Sequence, residues 1–328
     1  MRRMDSKTRE LATVSYLHYR KGLSQTEIAK QLGKSNMTVS RLLREARERG
    51  IVQFRLTVPC PSDPVVESKL KAKFPGLDDV IAVDDNLLGT GDMKRLLGHV
   101  AADYLPFFLK DGMHLGVGGG ETVAHVVDAI DDSLGFSDIT VVQLTGVTGQ
   151  IARLGNETLT TQKLSEKLNA RGFFCPIPSP FDKDLLKEGE QLLAQFGVEA
   201  AERWNCIDVG VTGIGGSHSR ISPSREGYLS MEQLDALYAK GAVGDILLHF
   251  IRADGRIVDH DFDATVTAIS WEQLRRVETV IAVAGGDDKT DAISGALHAG
   301  VLNVLITDRS TAYRVLECEE HEDGEDPD

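Results

Sequence analysis

The 328-residue chain has only four cysteines, Cys60, Cys175, Cys206 and Cys318, and no two stand as a C-x-x-C pair. That spacing argues against a disulfide framework or a zinc site and fits a reducing compartment. Long apolar runs are also missing. None approaches the roughly 18 residues that a membrane span needs, so no membrane partner is expected. Met1-Arg2-Arg3-Met4-Asp5 carries two arginines with no apolar core behind them, which argues against a secretory signal and for a cytoplasmic protein. The nine histidines include no H-x-x-x-H or H-E-x-x-H pair, and Asp259-His260-Asp261 reads as a turn, so neither metal nor cofactor is expected. The hydrophobic share of 41% and charged share of 26% exclude wholesale disorder and collagen-like structure.

Positive charge is scarce overall but not evenly so. The net charge is −14, yet residues 1–55 hold thirteen Lys and Arg against five acids, a local +8 that leaves −22 for the rest. A basic module on an acidic body points to a nucleic-acid-binding head, because attraction to phosphate depends on local charge. The plain alternative, on charge alone, is a solvated basic helix. At the other end, Glu317 to Asp328 contains eight acids and reads as a frayed, self-repelling tail.

The spacing of apolar residues predicts a first helix around Leu11–Leu17, ending near Gly22. Ser24 with Glu27 three residues on forms a capping box for a second helix through Leu32. Gly33 breaks it, and Ser35 caps a third helix to about Arg49, stopped by Gly50. Ile51–Val58 alternates like a half-buried strand. Pro59-Cys60-Pro61-Ser62-Asp63-Pro64 reads as a linker. The predicted boundaries are therefore a head at 1–58, a linker at 59–64, a body at 65–317 and a tail at 318–328. In the body, strand candidates at 80–83, 113–117, 139–144, 207–211, 245–250, 277–284 and 301–307 alternate with amphipathic helices such as Met93–Leu105. That alternation implies an α/β fold with a mostly parallel, Rossmann-like sheet covered on both faces. Ligands of such sheets bind beyond the carboxyl ends of the strands.

Gln25 through Arg44 fits the twenty-residue helix-turn-helix pattern. Ala29 is small where two helices cross, and Gly33 can take the left-handed turn. Ile28, Leu32, Val39 and Leu42 are apolar where a small core is needed. Val39, Leu42, Leu43 and Ala46 point inward on the third helix. Met37, Ser40, Arg41 and Arg44 point outward, with Ser35 and Asn36 at its exposed start and Gln25 opening the second helix. This suits insertion of the third helix into a major groove of double-stranded DNA. Arg41 and Arg44 are candidates for guanine edges or phosphates, Asn36 for adenine and Met37 for a thymine methyl.

With these residues in hand, the chain resembles the SorC/DeoR-type sugar-binding transcriptional regulators over nearly its whole length. The likeness rests on Gly22–Ala29, Val39–Leu43 and Gly50–Val52 in the head. Downstream it rests on Gly116-Val117-Gly118-Gly119-Gly120-Glu121-Thr122, Gly210–Gly215, Gly241–Ile246, Val283–Ile293 and Leu305–Asp308. The resemblance implies a body like phosphosugar isomerases and deaminases, no catalysis, and a homo-oligomer, dimer or tetramer.

Gly118–Thr122 follows a strand and opens a helix, so glycine backbone and free N–H groups can meet an anion; a tight strand-to-helix turn is the plain alternative. The resemblance implies effector oxygens against Gly119 and Gly120, with Thr122 supplying a hydroxyl. Two positions depart from the family, which often has Trp at 119 and a basic or neutral residue at 121. Glu121 beside a phosphate would repel it, which leaves an unphosphorylated polyol open. Gln143 is a candidate for sugar hydroxyls. The resemblance further implies a second oxyanion loop at Gly146–Gly149 and pocket walls at Gly213 and Gly215. It also implies a hydroxyl-binding acid at Asp245, for which a strand-end cap is the alternative. Gly285-Gly286-Asp287-Asp288-Lys289 leaves an apolar strand and enters a helix. The resemblance makes Lys289 an effector contact; the alternative is a surface lysine in a turn whose dipole disfavours it.

The expectation is a DNA-binding transcriptional regulator of a carbohydrate or polyol operon, and not an enzyme. Its body binds a sugar, polyol or sugar phosphate and thereby controls operator affinity. Two alternatives stand beside it: a sugar-phosphate isomerase or deaminase with an appended head, and a DNA-binding scaffold with a vestigial pocket.

Overall fold

The computed structural model describes residues 5–52, 61–84, 93–147, 156–177, 179, 198–216, 229–260 and 266–322. The chain divides into two compact units, Met1–Val58 and Pro59–Asp328.

In the first unit Asp5 opens α1 (Ser6–Ser15), its carboxylate accepting from Thr8 N at 2.6 Å. A π-helical turn, Tyr16–Arg20, follows. The capping box at α2 (Gln25–Leu32) is formed in both directions. Ser24 Oγ accepts from Glu27 N at 3.3 Å and Glu27 Oε2 accepts from Ser24 N at 2.8 Å. Gly33 closes α2 at φ 63°, and Ser35 Oγ accepts from Thr38 N at 3.1 Å to start α3 (Asn36–Glu48). Leu11, Val14, Ile28, Ala29, Val39, Leu42, Leu43 and Ala46 form one buried core. The strand expected from Ile51 does not begin there. Ile51 N and Val52 N both donate back to Ala46 O, at 2.9 and 3.2 Å, and finish the helix instead. Residues 53–58 lie outside the described residues.

The second unit starts with α4 (Pro64–Lys73), β1 (Asp79–Val83), α5 (Met93–Tyr104), β2 (His114–Val117), α6 (Glu121–Ala129), β3 (Thr140–Gln143), α7 (Glu157–Lys167) and β4 (Arg171–Phe173). It continues with α8 (Val198–Trp204), β5 (Val209–Thr212), β6 (Gly215–Gly216), α9 (Met231–Ala239), β7 (Ala242–Ile246), β8 (His249–Arg252), α10 (Trp271–Leu274), β9 (Thr279–Val283), α11 (Thr290–His298), β10 (Val304–Asp308) and α12 (Arg309–Glu322). Seven strands make one parallel sheet in the order β1-β10-β9-β5-β2-β3-β4. Its strands read as near-continuous apolar runs because both faces are covered. Ile81, Leu115, Val117, Val211 and Ile281 enter one buried cluster; Val80, Ala82, Val142, Val280 and Leu305 enter the other.

The strand order sets the place of a ligand. From β2 the chain steps outward to β3 and β4, then returns to lay β5 on the other side of β2. The loops after β2 and β5 therefore diverge, opening a crevice at the carboxyl ends of the strands. A small antiparallel sheet, β6-β7-β8, stands beside it.

Three expectations need correction. The single strand expected at 245–250 is two strands. Leu247 and Leu248 sit at φ 51° and 69° and turn the chain between β7 and β8. The end of the expected linker is already structured. Asp84 N donates to Pro61 O at 2.9 Å, Asp63 N donates to Ala82 O at 2.9 Å, and Asp63 caps α4 with Pro64 in its first turn. Asp63 is held in turn by Arg309 Nε at 2.9 Å and the Tyr313 hydroxyl at 3.2 Å, so it belongs to the body. The acidic tail does not start at Cys318, because α12 runs on to Glu322.

Candidate recognition helix and effector crevice

In the head, the third helix presents a consistent outer face. Met37 is 82% exposed, against the burial expected of so apolar a side chain, and Arg41 and Arg44 are exposed beside half-buried Ser40. Gln25, Ser35 and Asn36 are exposed at the starts of α2 and α3. Two of the head's five acids, Glu10 and Glu45, are paired with other cations. Lys7 Nζ reaches Glu45 at 2.9 Å, Arg49 reaches Glu45 at 2.7 Å and Lys34 reaches Glu10 at 2.6 Å. Among the described residues no ion pair engages Arg41, Arg44 or Arg47, so that face keeps its positive charge. Asn36 has a structural task as well: its Nδ2 donates to Thr26 Oγ1 at 3.1 Å and ties the two helices together.

In the body, a crevice of about 150 Å³ opens at the switch between β2 and β5. The loop after β2 supplies Gly119 and Gly120, and the first turn of α6 supplies Glu121, Thr122 and Val123. Gly120 stands at φ 101°, a conformation that suits glycine, so the chain can turn sharply into α6. Gly213, Ile214 and Gly215 line the side after β5. The wall opposite carries Asp245, Leu247 and Leu248 from the β7–β8 hairpin, with Lys289 entering from the turn before α11.

The glycines of β6 leave room for charged neighbours. A Cβ on Gly215 would stand 1.8 Å from Asp245 Oδ1, and one on Gly216 would stand 2.9 Å from Lys289 Cδ. Lys289 Nζ donates to Ile214 O at 2.8 Å, which aims the ammonium at the crevice wall. Burial pushes the Asp245 carboxyl up, and Lys289 and the Leu248 N–H pull it back. Asp245 Oδ2 accepts from Leu248 N at 3.3 Å, so the acid both lines the crevice and pins the turn. Two leucines at positive φ cost of order 1–3 kcal/mol each, and such strain gathers at functional sites.

Some expected residues are elsewhere. Gln143 is fully buried, with its amide donating to Thr145 O at 2.8 Å and Cys175 O at 3.3 Å, and it does not line the crevice. Gly146 also faces inward: a Cβ there would meet Ile177 O at 2.3 Å, and its N–H donates to Thr267 O at 2.7 Å. Thr148 and Gly149 lie outside the described residues. Gly286 turns its N–H away, to Asp308 Oδ2 at 2.8 Å and Thr311 Oγ1 at 2.9 Å, and its neighbour Gly285 lines the crevice instead. Sequence reading missed Lys94, Thr145, Glu157 and the two leucines. Lys94 and Glu157 arrive from α5 and α7, and Lys94 Nζ stands 2.5 Å from Glu121 Oε2. The Asn156 cap marks the start of α7, but no local pattern aims the next side chain across the sheet edge.

Two families match this chain. The one described as "Putative sugar-binding domain" covers residues 63–317, and a homeodomain-like domain covers residues 5–55. The sorbitol operon regulator of Klebsiella pneumoniae is 28% identical over 94% of this chain and 98% of its own. The transcriptional regulator LsrR of Klebsiella pneumoniae subsp. pneumoniae is 32% identical over 93% of this chain and 92% of its own. The crystal structure of full-length SorC from Klebsiella pneumoniae superposes with a TM-score of 0.78 at 27% identity, covering 95% of this chain and 99% of that one. The chain belongs to the SorC-type family of sugar-binding transcriptional regulators. It is a ligand-responsive transcriptional regulator. The alternative of an isomerase or deaminase with an appended head is overturned, since these relatives are regulators.

Proposed function

We propose that α3 reads operator DNA and that the crevice at the β2–β5 switch binds a small carbohydrate whose presence changes operator affinity. Relatives are named as a sorbitol operon regulator and an erythritol catabolism regulatory protein, which supports a carbohydrate or polyol operon. Met37, Ser40, Arg41 and Arg44 enter the major groove, with Gln25, Ser35 and Asn36 at its border. Gly119, Gly120, Glu121, Thr122, Gly213, Gly215, Asp245 and Lys289 hold the effector. The protein acts in the cytoplasm as a homo-oligomer, because paired half-sites need paired heads. Effector binding favours one oligomer geometry over another and so shifts affinity for the operator.

The observation that carries this reading is the convergence of the α6 first turn, the loop after β5 and the Asp245–Lys289 pair on one crevice. The test is fluorescence anisotropy with the DNA fragment upstream of the protein's own coding sequence, titrated with sugars, polyols and their phosphates. Operator affinity should shift with an effector, and Lys289→Ala should lose that shift. A full response in Lys289→Ala removes the lysine from the site. DNA binding that no carbohydrate moves leaves only a scaffold.

A further inference from the structure

Among the described residues three carboxylates, Glu121, Glu157 and Asp245, line the crevice with two ammonium groups, Lys94 and Lys289. Lys94 stands against Glu121 at 2.5 Å, and Lys289 donates to Ile214 O at 2.8 Å. No arginine lines the crevice among the described residues. A phosphate is ordinarily held by surplus cations and by free N–H groups at a helix start. Here a carboxylate of the protein itself stands against the loop that precedes the helix start. A Cβ on Gly119 would stand 2.5 Å from Glu157 Oε1, so Glu157 fills the space over the loop that leads into α6. Glu157 is itself buried, at the first position of α7. The second glycine loop is spent in the same way, since the Gly286 N–H already serves Asp308 and Thr311. One buried hydroxyl is left over. Thr145, 3% exposed, lines the crevice, and its hydroxyl has no partner among the described residues. A buried hydroxyl without a hydrogen bond is costly, and a ligand hydroxyl would satisfy it.

We propose that the crevice takes an uncharged polyhydroxylated ligand, a polyol or free sugar, and that Glu121 and Glu157 are the specificity-determining residues that exclude its phosphate esters. The proposal rests on the crevice being the carbohydrate site. Carboxylates are pure acceptors and suit the many O–H donors of a polyol. The same two carboxylates repel a dianionic phosphate brought into the crevice. Selectivity thus comes from a repulsive element against the ester as well as attraction to the parent compound.

The test uses the full chain with D-glucitol, xylitol and erythritol, each beside its terminal monophosphate, and with inorganic phosphate at matched ionic strength. Binding is read by titration calorimetry and by thermal stabilisation. At least one polyol should bind, with its ester weaker by roughly tenfold or more, and inorganic phosphate should give no saturable stabilisation. Glu121→Gln and Glu157→Gln should each narrow the gap between polyol and ester, and the double variant should narrow it by about tenfold. Should Glu157→Gln fold poorly, the exposed Glu121→Gln and the wild-type ratio decide. An ester that binds as tightly as its polyol overturns the proposal. So does saturable phosphate binding that Lys289→Ala removes. If no polyol and no ester binds, the carbohydrate-site reading itself fails, which is a separate result from esters binding alone.

Discussion

Replacing Gly98 with alanine sets two opposed effects against each other at the root of the crevice. Gly98 lies in the interior of α5, where alanine is favoured over glycine by about 1 kcal/mol of helix propensity. Against that, α5 and α6 touch at this point. An added Cβ would stand 2.5 Å from His125 Cβ, 2.7 Å from His125 C and 2.9 Å from Val126 N. Two of those three atoms are backbone within a helix and cannot rotate away. Overpacking of this kind costs roughly 1–3 kcal/mol, and rigid neighbours place it near the top of that range. The net expectation is a loss of about 1–2 kcal/mol. For a unit of this size each kcal/mol moves the melting midpoint by about 2–4 °C, so the midpoint should fall by roughly 2–8 °C. The assay is urea or thermal unfolding followed by tryptophan fluorescence. The chain has two tryptophans, Trp204 and Trp271, both buried in the second unit, so the signal reports that unit alone. Gly76→Ala is the control: among the described residues nothing lies within 4 Å of its added Cβ, and φ is not positive. It should be neutral or stabilising by up to about 1 kcal/mol. Because Lys94 and Glu121 reach each other from α5 and α6, Gly98→Ala should also weaken effector binding. An unmoved or raised midpoint for Gly98→Ala would refute the claim that backbone contact, not propensity, decides this position.

Asp308→Ala should cost the second unit about 2–4 kcal/mol. It removes the acceptor for Thr311 N at the start of α12, a cap worth about 1 kcal/mol, and takes the acceptor from the buried Thr311 hydroxyl for about 1–3 more. Tryptophan-detected unfolding checks this, and Asp308→Asn should recover part of the loss. In the head, Arg41→Ala should weaken operator binding by roughly 1–3 kcal/mol if the side chain reads a base. If it meets phosphate, the slope of log affinity against log salt should instead fall by about 0.9. Salt-dependent anisotropy separates the two, and no change in either quantity removes Arg41 from the interface. Acid should loosen the head. Hydrogen bonds from Ser24 hold the Glu27 carboxyl below its ordinary value, Lys34 does so for Glu10 and Lys7 for Glu45. A depressed folded-state pKa contributes stability that is present above the unfolded value of about 4.3 and is lost as pH falls through the folded one. Hydrogen exchange of the α3 amides should therefore stay slow from pH 7 to about 5 and accelerate below 4, after correction for intrinsic rates. A head that loosens on going from pH 5 to pH 7 contradicts this.

What could be read from the sequence follows the range of the forces involved. The head is set by interactions within a few residues: the Ser24–Glu27 box, the left-handed Gly33 and the Ser35 cap all act over three or four positions. Sequence reading placed them where the structure has them. The parallel sheet was legible too, because strands buried on both faces must be apolar throughout. Strand ends were less so. Leu247 and Leu248 carry no turn signal, since a two-residue hairpin with positive φ is ordinarily marked by glycine or asparagine. Here tertiary contact overrides local preference: Leu247 packs where a Cβ on Gly118 would stand, 2.7 Å from its Cδ2.

The crevice divides along the same line. Residues at loops that leave strands, such as Gly119, Thr122, Gly213 and Lys289, stand where strand ends and helix starts meet, and the family resemblance singled them out among their neighbours. Gln143 shows how that rule fails. It sits at the end of β3, yet its amide is consumed by Thr145 O and Cys175 O inside the body. A buried amide must satisfy its donors internally, and sequence does not say whether the next partner is ligand or backbone. Glu157 is the converse case, a helix-start acid with an ordinary dipole explanation that reaches across to Gly119. Glycine at 119 and carboxylate at 157 are one feature, not two: the missing side chain at one position is the space taken by the other. A bulkier residue at 119 would have to displace Glu157, and the two positions should therefore be substituted together. Gly119→Ala alone should perturb effector binding, whereas Gly119→Ala with Glu157→Ala should restore the space. Measured binding energies for the two single variants and the pair should be non-additive by about 0.5–3 kcal/mol, as expected for residues in contact; strict additivity would show that they do not share that space.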